Sequence, residues 1–119
     1  MNRDICWVKA DDTLTKVAES MLANRVGAVL VKQDGEYQGI LSETDIVRRA
    51  VAAGLKPEAT LAKTVMSSPL ITIDINQTLT DANEIMSEKR IRHLVVTERG
   101  TVVGIISVRD LVIYFKNRI

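Results

Sequence analysis

Hydrophobic positions along the chain alternate between two rhythms. In TLTKVAESMLANR, apolar Leu14, Val17, Ala18, Met21 and Leu22 recur at i, i+3, i+4, i+7 and i+8, which lines one face of an α-helix, with Thr13 as its expected N-cap. The next segment, VGAVLV, is rich in β-branched residues; the turn signal Asp34-Gly35 and the run EYQGIL follow it. This pattern predicts two antiparallel strands joined by a tight turn. Helical spacing resumes in SETDIVRRAVAAG at Ile46, Val47, Ala50 and Val51, and Gly54 is a natural stop. With the short extended lead-in RDICWVKA, the order is β-α-β-β-α.

The same order is then written a second time. Shifting the sequence by 65 residues lays 1–54 on 66–119 without a gap, with fourteen identities over the 54 positions, Thr13/Thr78, Gly39/Gly104, Ser42/Ser107 and Asp45/Asp110 among them. Average residue usage would give roughly one identity in seventeen, so the match is an internal duplication. The expected organisation is repeat 1 at 1–54, a connector at 55–65 and repeat 2 at 66–119. A unit of this size buries little core alone. The expected solution is an α/β module of two pseudo-symmetric β-α-β-β-α repeats packed through their sheets, with two related clefts between them.

Composition narrows the function classes. The 119 residues are 46% hydrophobic and 26% charged, the profile of a folded globular chain. Sixteen Lys and Arg against fifteen Asp and Glu leave a net charge of +1, which argues against direct nucleic-acid binding or an acidic membrane surface. Aromatics at 3% offer few stacking platforms. No apolar run has the length of a membrane span, and the first residues lack the apolar stretch of a signal peptide. The single cysteine, Cys6, fits a reducing compartment, so a cytoplasmic location is expected.

The most specific pattern is Gly-Ile-aliphatic-Ser-x-x-Asp, GILSETD at 39–45 and GIISVRD at 104–110, closing a strand and opening a helix. Two readings stand side by side. Ser-x-x-Asp is a capping box, in which each residue satisfies the other's backbone amide. The same helix tip also offers amides and partial positive charge to a phosphate, with the serine as a further donor and the carboxylate placed for a sugar diol.

These motifs, the two Thr-Leu helix starts, the strand IRHLVV and the lead-in VMSSP resemble a tandem pair of CBS domains, the cystathionine β-synthase regulatory repeat, forming a Bateman module; the resemblance covers nearly the whole chain. It implies a regulatory module that binds an adenine nucleotide (AMP, ADP or ATP, with S-adenosylmethionine or NAD as further adenosyl ligands) in the cleft between repeats, without catalysis. Asp45 and Asp110 would then hold ribose hydroxyls, Ser42 and Ser107 would face ribose or phosphate, and adenine would lie against the lead-ins, near Val8 in one repeat and Leu70, Ile71 and Ile73 in the other. The family pattern often has a proline in the strand after Arg-His; Val95 and its counterpart Leu30 stand there instead, so adenine packing is expected to differ slightly. Met1 aligns with Met66 in mid lead-in, so a complete first repeat would begin earlier, and an output domain or partner outside the sequence is expected.

One segment breaks the symmetry. Arg92 and His93 stand where the first repeat has Gly27 and Ala28, and Arg109 stands where it has Thr44. Either these are solvated strand-end groups, or they meet phosphate. On the second reading the better anion site is built on Ser107 and Asp110 with Arg92 and Arg109, and the Asp45 site relies on His93. Enzyme readings fare poorly. Ser42, His93 and Asp45 lack a strained nucleophile elbow, Cys6 reads as a small core residue, and one histidine with one cysteine makes no dedicated zinc site. Apolar helix positions Ile46, Val47, Leu111, Val112 and Phe115 point to a homodimer through the helices. The alternative is a structural dimerisation or interaction module with empty clefts; a weaker third reading is control of an attached nucleic-acid-binding domain.

Overall fold

The computed structural model describes residues 1–117; the last two positions of the expected second repeat, 118 and 119, lie outside the described residues. The chain divides into two compact units, one of Cys6–Leu70 and one that joins Met1–Ile5 to the chain from Ile71 onward.

In the first unit, β1 (Trp7–Lys9), α1 (Leu14–Asn24), β2 (Ala28–Gln33) and β3 (Glu36–Ser42) form a three-stranded sheet of order β1-β2-β3, the first pair parallel and the second antiparallel. A parallel pair needs a crossover, and α1 supplies it. Thr13 caps that helix by accepting from the Lys16 amide. Leu14, Val17 and Met21 are buried, whereas Ala18 and Leu22 of the expected stripe are exposed. Each lies one residue, about 100°, past a buried position, beyond the edge of the sheet-facing strip. Both turn residues, Asp34 and Gly35, have positive φ, which twists the hairpin with its strands and explains the Asp-Gly choice. The extra residue Gln38 bulges between Val31 and Lys32 of the partner strand's register.

After β3 the expected single helix is composite. One turn, α2 (Glu43–Asp45), runs into a π-helical segment, Ile46–Val51, with Ala52 bonded to Val47 and Leu55 to Ala50. A short 3-10 turn (Pro57–Ala59) and α3 (Ala62–Val65) follow. Val8, Leu14, Val17, Val29, Val31 and Leu41 are central to this unit's core.

The second unit repeats the plan with β4 (Thr72–Asp74), α4 (Leu79–Lys89), β5 (His93–Glu98), β6 (Thr101–Ser107) and a regular α5 (Val108–Lys116). Ile73, Ala82, Met86, Leu94, Val96 and Ile106 fill its core. No described helix is long and apolar enough to cross a membrane.

The lead-ins complete the sheets in exchanged fashion. Ser67 bonds both ways to Ile40 of β3 (2.8 and 3.0 Å), and Asn2 bonds both ways to Ile105 of β6 (3.0 Å each). Each last strand thus has its outer edge covered by a segment that precedes the other repeat's first helix. The edge coverage requires close backbone approach. A β-carbon on Gly39 would sit 2.7 Å from the Ser67 carbonyl oxygen, and one on Gly104 would sit 2.9 Å from that of Asn2.

Candidate site at the two Ser-x-x-Asp helix starts

Both motifs form capping boxes. Ser42 Oγ accepts from the Asp45 amide at 3.2 Å while Asp45 Oδ2 accepts from the Ser42 amide at 2.9 Å. The Ser107–Asp110 pair repeats both bonds at 3.2 and 2.9 Å. The next amide in each turn is also engaged: Glu43 donates to the Gly27 carbonyl and Val108 to the Arg92 carbonyl, each at 2.9 Å. The expectation of helix tips rich in unpaired amides therefore needs correction. The cap and the carbonyl just ahead of the neighbouring strand, β2 or β5, together satisfy three of the first four donors. Of these tip amides, those of Thr44 and Arg109 are left without a partner among the described residues.

Beyond the shared boxes the two motifs differ. Asp45 Oδ2 also accepts from the Ser42 hydroxyl at 3.1 Å, and its Oδ1 accepts from the Ser67 hydroxyl at 3.4 Å. Arg49 Nε stands 3.7 Å from the same Oδ1, and the Arg49 guanidinium donates to the carbonyls of Val65 (3.4 Å) and Met66 (3.2 Å). The Asp45 side chain is left 14% exposed. Asp110 is 37% exposed; the amino group of Met1 lies 4.0 Å from its Oδ2, and Oδ1 accepts no hydrogen bond from the described residues. The Ser107 hydroxyl likewise donates to no described acceptor.

The remaining expected site residues are distributed as follows. Ser42, Thr44, Asp45, Val8 and Leu70 lie in the first unit; Ile71, Ile73, Arg92, His93, Ser107, Arg109 and Asp110 lie in the second. Val8 (5% exposed) and Ile73 (3%) pack into the cores of their units, so neither side chain can meet a base. Strand alternation turns the neighbouring side chain the other way. Ile71 is exposed, and its carbonyl accepts from Val95 at 3.3 Å, while Leu70 is half-buried. Arg92 and Arg109 are exposed. The β5–β6 register sets half-buried His93 directly opposite Ser107, so the two side chains share a sheet face.

Arg49 and Ser67 were not singled out from the sequence. Arg49 had a legible signal, the i,i+4 spacing from Asp45 that puts both on one helix face. Ser67 had none, because 22 residues separate it from Asp45 and only the folded lead-in brings it near.

The CBS domain family model matches residues 1–52 and 62–117. A protein of Methanopyrus kandleri is 31% identical over 92% of this chain, and the CBS domain-containing protein YhcV of Bacillus subtilis is 30% identical over 95%. The chain spans 57% of the first relative's length and 80% of the second's. A crystal structure of a conserved protein from Pyrococcus horikoshii superposes with a TM-score of 0.91, at 29% identity, covering 100% of this chain and 90% of that one.

Proposed function

The chain belongs to the CBS domain family, as a tandem pair of its repeats, and from that premise we propose that it binds an adenine nucleotide reversibly as a regulatory ligand. Pairs of this kind are generally regulatory or interaction modules. The observation that supports the nucleotide reading is the set of groups at the second motif without a hydrogen-bond partner among the described residues: Asp110 Oδ1, the Ser107 hydroxyl proton and the Arg109 amide. A carboxylate oxygen with open lone pairs accepts from a ribose diol, and a hydroxyl and an amide beside it donate to an anion. Exposed Arg109 lies in the same turn, and the backbone of Arg92 abuts it through the bond from Val108. Adenine lies against the apolar lead-in surface at Ile71. His93, beside Ser107, is a further polar partner for the ligand. The reading is of binding without catalysis, and the Ser107 oxygen, which receives the Asp110 amide, has the geometry of a helix cap. The ligand signals by favouring one of two arrangements of the module or of an attached partner, which requires different affinity for the two.

A second reading, an interaction module with empty sites and a homodimer through its helices, is favoured by one observation. Of the expected dimer face, Val47, Val112 and Phe115 leave apolar surface on the helices, whereas Leu111 is buried and Ile46 half-buried in the cores of their units.

Thermal unfolding with AMP, ADP, ATP, NAD and S-adenosylmethionine separates the two. A ligand at 100 times its dissociation constant adds about 2.7 kcal/mol to stability. A raised midpoint with at least one of them supports the sensor; no change with any supports the interaction module.

A further inference from the structure

We propose that Arg49 determines which motif takes the ligand: it serves as a built-in counter-ion that closes the Asp45 motif to a sugar diol and leaves Asp110 the one ribose-accepting carboxylate. The proposal rests on the nucleotide reading above and adds its stoichiometry and its determinant. A carboxylate offers about four lone-pair positions. At Asp45 both oxygens are engaged from within the chain: Oδ2 accepts from the Ser42 amide and hydroxyl, and Oδ1 accepts from the Ser67 hydroxyl and has Arg49 Nε at 3.7 Å. At Asp110, Oδ1 accepts no hydrogen bond from the described residues, and the Met1 amino group stands 4.0 Å from Oδ2. The serines divide in the same way: the Ser42 proton is spent on Asp45, while the Ser107 proton has no described acceptor.

The difference traces to single positions of the repeat. Where the first repeat has Arg49, the second has Tyr114, and where the first motif meets Ser67, the second has Asn2 in the corresponding lead-in. Arg49 is held by more than its ion pair, because the carbonyls of Val65 and Met66 accept from its guanidinium and fix it over the motif. A ribose entering the first motif must displace the Ser67 hydroxyl and an arginine anchored to two carbonyls from a carboxylate 14% exposed, whereas at the second it meets a carboxylate 37% exposed whose Oδ1 has no hydrogen bond from the described residues. The two motifs, GILSETD and GIISVRD, which share their Gly, Ile, Ser and Asp, are therefore expected to bind unequally.

The test is isothermal titration of the full chain with AMP. One equivalent per chain is expected, weakened at least tenfold by Asp110→Asn and changed less than twofold by Asp45→Asn. Arg49→Met, which keeps the aliphatic stem, should bring in a second equivalent, more strongly when combined with Ser67→Ala. Arg49→Gln serves as the second variant should the Met form unfold, with far-UV circular dichroism recorded for each. Two equivalents in the wild type, one equivalent lost with Asp45→Asn instead of Asp110→Asn, or a stoichiometry unmoved by both Arg49 variants would overturn the assignment while nucleotide binding itself stands. No heat with AMP, ADP, ATP, NAD or S-adenosylmethionine, for the wild type and the Arg49 variants alike, overturns the nucleotide reading and this assignment with it.

Discussion

The carbonyl oxygen of Ser67 lies 2.7 Å from where a β-carbon on Gly39 would be, and Ser67 exchanges a pair of backbone hydrogen bonds with Ile40, the residue after Gly39. A glycine is required there because a chain segment from outside the hairpin lies flat on it. The same relation holds for Gly104 under Met1 and Asn2. Gly39→Ala and Gly104→Ala should each cost about 1–3 kcal/mol, the usual penalty of forcing atoms into filled space. Chemical denaturation measures this; a loss below about 0.5 kcal/mol at both positions would show that the lead-ins do not dock as described.

The caps make a separate prediction about stability. Ser42→Ala and Ser107→Ala each remove the acceptor of an N3 amide and should cost about 1 kcal/mol. Only Ser107→Ala should also weaken AMP, since the Ser42 proton is already given to Asp45. Equal loss of affinity in both variants would contradict that division.

Arg99 occupies the first turn position of the second hairpin with φ +51°, where the first hairpin has Asp34 at φ +53°. Asparagine and aspartate accept this left-handed conformation more readily than arginine. Arg99→Asn should therefore stabilise the chain by about 0.5 kcal/mol, seen as a rise of a few degrees in the thermal midpoint. A fall in the midpoint would mean that the Arg99 side chain contributes something its turn position does not explain.

At Asp110 the acceptor matters more for the ligand than for the fold. Asp110→Asn retains a carbonyl oxygen able to accept from the Ser107 amide, so stability should change little. Loss of charged acceptance from a diol should weaken AMP by about 1.5–3 kcal/mol. Calorimetry and a melting curve on one sample distinguish this from a variant that merely unfolds.

Much of the fold was legible because it is local. The Thr13 cap, the Asp34-Gly35 turn and the Ser-x-x-Asp boxes each act within four residues, and the structure places them as the spacing implies. What escaped depends on distance. A shift of 65 residues reveals a repeat but cannot show whether a lead-in folds with its own copy or the other, so the grouping of Met1–Ile5 with the chain from Ile71 was invisible. Burial of Val8 and Ile73 follows from which strand face meets the helices, and a three-residue strand carries too little alternation to decide it. The π-helical Ile46–Val51 was hidden for a different reason: one extra residue per turn leaves the apolar pattern at Ile46 and Ala50 almost unchanged.

Amide chemical shifts recorded while AMP is added to isotopically labelled protein test the central claim most directly. The account predicts that the largest perturbations fall on the Arg109 amide and its neighbours Ser107 and Asp110, with Thr44 and Asp45 barely moved. Saturable shifts centred on Thr44 and Asp45, or a spectrum unchanged at millimolar AMP, would contradict it.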